Sequence, residues 1–163
     1  MLPLDTAAPD FTLPTASGQP FTLSQHRGRP LVLYFYPKDD TRGCTAEACS
    51  FRDKYEDFLA FGAEVVGVSV DDEASHQRFA QKHRLPFTLL ADVGGRIRKL
   101  YDVPRLFGIL PLSGRVTYVI DAAGIVRHAF NSNAQPLKHV SETLAYLKRL
   151  TAEPGAAPLV SAT

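Results

Sequence analysis

LVLYFYPKDDTRGCTAEACSFRDKYEDFLAFGAEVVGVSV, residues 31–70, is the stretch that sets the architecture. Leu31-Val32-Leu33-Tyr34-Phe35-Tyr36 is a continuous β-forming run, not an alternating one, as in a strand buried on both faces. Val65-Val66-Gly67-Val68-Ser69-Val70 is a second run of the same kind. Between them, Cys44, Ala48, Phe51, Tyr55 and Phe58 recur at helical spacing, which predicts one helix over residues 44–61 with these side chains turned to the core. Strand, helix and strand in this order make a crossover unit, and such units build sheets with parallel strands.

Downstream, Asp71 and Asp72 form the N-cap region of a helix running to about His83. Phe87 to Leu90 reads as a short strand and Gly94 to Tyr101 as a short helix. Residues 116–120 and 125–130 flank Asp121-Ala122-Ala123-Gly124, an antiparallel hairpin with a turn ending in glycine. Gln135 to Leu150 is a closing amphipathic helix, with Leu137, Val140, Leu144 and Leu147 on one side. Upstream, Phe11-Thr12-Leu13 and Phe21-Thr22-Leu23 bracket a Ser17-Gly18 turn and suggest an N-terminal hairpin. The expected fold class is therefore α/β, a thioredoxin-like fold with a central mixed sheet flanked by helices and an N-terminal β-hairpin. It forms one domain over residues 1–150, followed by a tail over 151–163 that is rich in Ala and Pro and expected to be mobile.

The 163 residues carry 18 basic and 17 acidic side chains, a formal net charge of +1. No basic stripe suggests a nucleic-acid partner. No apolar run approaches the roughly 18 residues that span a bilayer, so no membrane partner is expected. Met1 to Asp5 lacks the basic start and apolar core of a signal peptide, and the reading is a cytoplasmic protein. Two cysteines make no extracellular disulfide framework.

Those two cysteines, Cys44 and Cys49, both fall at the start of the predicted helix, where the strand ending at Tyr36 gives way. Open α/β sheets place their sites at such carboxyl ends of strands. The first helical turn offers unpaired N–H groups and partial positive charge, conditions that acidify thiols and make them nucleophiles. Gly43 allows close backbone approach, Thr41 places a hydroxyl three residues before Cys44, and Pro37 stiffens the turn. Cys49 lies about 140° further round the helix, on the side of Arg52, Asp53 and Glu56. Five residues along a helix separate Cα atoms by roughly 8.6 Å, beyond the ~7 Å limit of a disulfide. A bond between them therefore requires this turn to unwind, which suits a bond that forms and breaks and not a fixed staple. A buried, inert cysteine is the alternative. A zinc site wants about four ligands. His26, His76, His83, His128 and His139 are scattered and none stands at ligand spacing, so solvated or packed roles are expected for them, with no metal and no cofactor.

Pro37-x-x-x-Thr41-x-x-Cys44 resembles the active-site motif of the peroxiredoxins. Gly43-Cys44-Thr45-Ala46-Glu47-Ala48-Cys49-Ser50-Phe51-Arg52-Asp53 resembles in particular the peroxiredoxin Q, or bacterioferritin comigratory protein, branch. The likeness runs from about Pro9 to the last helix. It implies a thiol peroxidase in which Cys44 attacks hydrogen peroxide or an organic hydroperoxide and becomes a sulfenic acid. Cys49, five residues on, would resolve it as an intramolecular disulfide, which thioredoxin or a similar dithiol would reduce. By the same resemblance Thr41 would bind the peroxide and Pro37 would shield the sulfenic acid. Arg115, in Gly114-Arg115-Val116-Thr117-Tyr118-Val119-Ile120-Asp121, would stabilise the thiolate and the developing oxygen charge. Arg42 and Arg105 are weaker candidates for that role. Glu47 either orients the arginine or is a solvated helical glutamate. Phe107, Ile109, Leu110 and Leu112, around Pro111, either line the entrance or belong to the core. A monomer is expected. Two other readings stay open: a one-cysteine peroxidase in which Cys49 is idle, and a redox-sensing binding module without turnover.

Overall fold

The computed structural model describes residues 1–110 and 112–152. Its main sheet has five strands, β3 (Leu31–Phe35), β4 (Glu64–Ser69), β5 (Thr88–Ala91), β6 (Val116–Ile120) and β7 (Val126–Asn131), in the order β5-β4-β3-β6-β7. The β3–β4 and β4–β5 pairs are parallel; β3–β6 and β6–β7 are antiparallel. A separate two-stranded hairpin, β1 (Thr12–Pro14) with β2 (Pro20–Thr22), is the N-terminal hairpin the sequence suggested.

The unbroken apolar run of β3 follows from its position at the centre of the sheet. Leu31, Leu33 and Phe35 face a core shared with Phe11, Leu13 and Phe21 of the hairpin region and with Ile97 of α4 (Arg96–Leu100). Val32, Tyr34 and Tyr36 face a second core built from α1 (Arg42–Asp53), α2 (Tyr55–Ala60), α3 (Glu73–His83) and α5 (Pro136–Ala152). Both sets of side chains are removed from water, so the alternation of a half-exposed strand is absent. In the second core Tyr34 stacks on Phe51 with ring centroids 4.6 Å apart, and its neighbour across the sheet is Gly67. A Cβ on Gly67 would come within 2.8 Å of both Tyr34 and Leu89, so glycine is what lets the flanking side chains meet over β4.

Two boundaries differ from the sequence reading. The helix expected as one piece over 44–61 begins two residues earlier and is broken at Lys54, whose φ of −101° and ψ of 7° leave the helical region. The apolar spacing continues in register across the break, which is why periodicity alone does not reveal it. The closing helix runs on through Thr151 and Ala152, two residues assigned to the tail; the rest of the expected tail, 153–163, lies outside the described residues, as does Pro111.

Candidate active site

The chain leaves the carboxyl end of β3 at Tyr36, passes through Pro37–Asp40 and enters α1 at Thr41. Pro37 is buried and Thr41 exposed. Thr41 is the N-cap; its hydroxyl donates to the Lys38 carbonyl at 3.0 Å and makes no cap bond to the helix. Cys44 follows in the first turn, 1% exposed and facing the second core beside Ala48 and Phe51, as the helical spacing requires. Cys49 is half-buried on another side of α1, and both thiols are free. With the helix intact, the sulfurs sit at the spacing that forbids a disulfide.

Arg115 reaches this turn from the start of β6. Its backbone N–H donates to Asn133 Oδ1 at 2.9 Å, which fixes the residue ahead of the strand. Nη2 donates to Cys44 Sγ at 3.4 Å and Nη1 donates to Glu47 Oε2. A Cβ on Gly43 would approach Nη2 to 3.2 Å, so the absence of a side chain at 43 leaves room for the guanidinium beside the sulfur. Arg115 is thus the arginine bonded to the thiol; Arg42 is exposed on the rim of a neighbouring groove and Arg105 is exposed elsewhere. Burial opposes the Arg115 charge, but Glu47 and Cys44 more than offset it and hold its pKa above the ordinary value.

Glu47, left open between two roles by the sequence, is fully buried. It lies three residues after Cys44, on the same inward face. Burial pushes its carboxyl up to about 8 against the pull of Arg115. Its second oxygen accepts no hydrogen bond and lies 3.8 Å from His139 Nδ1. His139, also fully buried, takes the Thr117 hydroxyl proton on Nδ1 at 2.8 Å and donates from Nε2 to the Ser132 carbonyl at 2.9 Å. Burial lowers it to about 4, so it stays neutral at ordinary pH.

A second buried constellation holds the loop ahead of Thr41. Asp39 accepts from the Tyr36 hydroxyl at 2.6 Å, from the Ser75 hydroxyl at 2.9 Å and lies 2.7 Å from His76 Nδ1. Its backbone N–H donates to Asp71 Oδ2 at 2.8 Å. His76 Nε2 lies 2.9 Å from the Leu90 carbonyl. Sequence reasoning gave His76 and His139 only solvated or packed roles and did not single out Asp39. The available signal was position: His76 shares the inward face of α3 with Phe79, three residues on, so a polar side chain there must find buried partners.

A groove of about 670 Å³ opens between the starts of α1 and α5, lined by Arg42, Gly43, Ala46, Pro136, Leu137 and Lys138. The loop around Pro111 is not core: Phe107 is 73% and Ile109 79% exposed. Among the described residues no group of three or more His, Cys, Asp or Glu side chains could hold a metal ion.

Residues 4–129 match the model of the AhpC/TSA family. Peroxiredoxin Q of rice, Oryza sativa subsp. japonica, described as chloroplastic, is 53% identical over 146 residues, 89% of this chain and 66% of that protein. The chloroplastic peroxiredoxin Q of Arabidopsis thaliana is 55% identical over 143 residues, 87% of this chain and 65% of that protein. The chain therefore spans just under two thirds of these relatives. Among solved structures, peroxidoxin BcpB from Mycobacterium tuberculosis superposes with a TM-score of 0.83 at 36% identity, over 90% of this chain and 96% of that one. Peroxiredoxin Q of Xanthomonas campestris gives 0.76 at 34% identity, over 85% and 90%. The cytoplasmic expectation is overturned by the plant relatives, which are chloroplastic. Charge balance and a cysteine count of two do not distinguish one reducing compartment from another.

Proposed function

The chain belongs to the AhpC/TSA family, in its peroxiredoxin Q branch, and on that footing we propose that it is a thiol-dependent peroxidase of a plastid, acting on hydrogen peroxide and organic hydroperoxides. The observation that carries the reading is the Arg115 Nη2 contact to Cys44 Sγ at 3.4 Å inside the first turn of α1. A fixed cation beside a buried sulfur favours the thiolate and remains in place for the oxygen charge that develops as the O–O bond breaks. Cys44 thiolate attacks the outer oxygen of the hydroperoxide; the sulfur–oxygen bond forms, the O–O bond breaks and the leaving oxygen takes a proton as water or an alcohol. Sulfur is oxidised to sulfenic acid and the peroxide is reduced.

Cys49 then attacks the sulfenic sulfur as its thiolate, hydroxide leaves as water, and a Cys44–Cys49 disulfide results. Thioredoxin or a similar dithiol restores both thiols and becomes oxidised. Thr41, at the helix entrance, swings its hydroxyl from Lys38 to the bound peroxide, and buried Pro37 excludes water from the sulfenic acid. The groove beside Gly43 offers apolar surface for the organic part of a larger hydroperoxide. The protein works as a monomer.

Peroxide-dependent NADPH oxidation with thioredoxin and its reductase tests the proposal. Wild-type protein should turn over, and Cys44→Ser should not. Cys49→Ser should consume one equivalent of peroxide and then stop. Wild-type turnover by Cys49→Ser would assign the resolving step to another thiol.

A further inference from the structure

Asp39, His76 and Tyr36 form a buried network that the reaction above leaves without a task, although Asp39 lies five residues before Cys44. Both ring nitrogens of His76 face acceptors: Nε2 faces the Leu90 carbonyl at 2.9 Å, and Nδ1 faces Asp39 Oδ2 at 2.7 Å. A carbonyl has no proton to give, so Nε2 carries one. A second proton must lie between Nδ1 and Oδ2, in a hydrogen bond that joins His76 to Asp39; the ring is fully buried and Asp39 is 6% exposed. The remaining lone pairs of Asp39 accept from the Tyr36 and Ser75 hydroxyls. The other charge near the pair is Asp71, whose carboxylate takes the Asp39 N–H and the Ser69 hydroxyl.

The elements joined are unequal. His76 stands on α3 and its carbonyl partner on β5, both parts of the frame. Asp39 stands in the loop that carries Pro37 and Thr41 into α1, next to Asp40, which holds a left-handed φ of 59°. A buried side-chain hydrogen bond from the frame thus grips the last residues before the helix. We propose that His76 is a positioning residue for the Cys44 reaction. It holds the Pro37–Thr41 loop through Asp39, and it sets the upstream limit of the unwinding that disulfide formation requires. The role rests on the peroxidase reading, but the grip itself does not.

Nitrogen-15 NMR of the reduced full-length protein at pH 7 reads the pair directly. Nε2 should carry a proton and Nδ1 should show a hydrogen bond to Asp39; a bare Nε2, or an Nδ1 without that bond, overturns the assignment. Hydrogen exchange then reads the grip. His76→Gln keeps one hydrogen bond and removes the other. It should speed exchange of amides 38–41 by about tenfold, the value of one lost buried hydrogen bond, with β4 and β6 unchanged. Tyr36→Phe, which removes a single hydroxyl, should give a smaller change at the same amides. Equal protection of 38–41 in both variants, or uniform loosening of the whole sheet, would reject the positioning role.

Kinetics complete the test. Single-turnover reaction with hydrogen peroxide should slow in His76→Gln and in Asp39→Asn. The double variant should be no slower than the worse single one, because the two residues act as one unit. Additive losses would mean separate roles. In the oxidised forms, fast exchange should begin at Arg42 in wild-type protein and extend back into Lys38–Thr41 in His76→Gln. If wild-type protein proves inert to peroxide, the peroxidase reading fails, while the NMR and reduced-state exchange results still decide the grip.

Discussion

The Cys44 sulfur is approached by a residue pair, Arg115 bonded to Glu47, and the partner is the less obvious half. A glutamate fully inside the protein and bonded to an arginine would conventionally be ionised. Here burial pushes its pKa up to about 8 against the pull of Arg115, so it holds its proton further up the pH scale than an exposed glutamate does while accepting from Nη1. Glu47→Gln preserves the acceptor and removes the carboxylate charge. It should keep the peroxide rate constant within about threefold, whereas Glu47→Ala, which frees the guanidinium and orphans Nη1, should lower it by about ten- to a hundredfold. Stopped-flow reaction with hydrogen peroxide separates the two variants; equal losses in both would show that the carboxylate charge itself is needed. The sequence made the meeting of Cys44 and Arg115 legible because each sits on its own recognisable segment, Pro37-x-x-x-Thr41-x-x-Cys44 and Gly114 to Asp121. It left Glu47 open and passed over Asp39 and His76 because each depends on which distant strand or helix lies opposite, and no local pattern carries that.

Elements were legible where one physical rule dominated. Double-sided burial marked β3 and β4, the glycine turn marked β6 and β7, and Asp72 accepts from the Ser75 N–H at 2.8 Å as an N-cap should. The break at Lys54 was not legible, since the inward spacing from Phe51 to Phe58 continues across it. That break separates the hydrogen bonds of α1 from those of α2, so α1 can unwind alone. In the proposed cycle the disulfide form should show fast amide exchange over residues 42–52 and unchanged protection in α2 and the sheet. Equal protection over 42–52 in a verified Cys44–Cys49 disulfide would sink the unwinding argument. The sheet beneath is less forgiving. Gly67→Ala inserts a methyl against Tyr34 and Leu89, which β4 cannot move away from, and should destabilise the protein by about 1–3 kcal/mol by denaturant titration. A change near zero would mean that the Tyr34–Phe51 stack shifts freely.

Across the whole molecule, two buried groups near the site tilt stability in opposite directions. Glu47 rises from 4.5 to about 8 on folding, so the folded state binds the extra proton and stability declines as pH climbs from 4.5 to 8. His139 falls from 6.5 to about 4, so the unfolded state binds the extra proton and stability declines as pH drops from 6.5 toward 4. Between 4.5 and 6.5 the slopes oppose one another; from 6.5 to 8 the glutamate acts alone, at no more than about 1.4 kcal/mol per pH unit. The stability of wild-type protein relative to Glu47→Gln should therefore decline over that upper window, and a constant difference would place the Glu47 titration elsewhere. The separation of α1 from α2 also fixes a length. The 12 residues of α1 span about 18 Å as a helix and about 40 Å extended. With α2 anchored at one end and the Asp39 loop at the other, unwinding releases roughly 20 Å of slack that has nowhere to go but outward. In the proposed cycle, oxidation should thus convert a buried sulfur into one carried on a loop that stands off the surface, within reach of a reductant too large to enter the pocket.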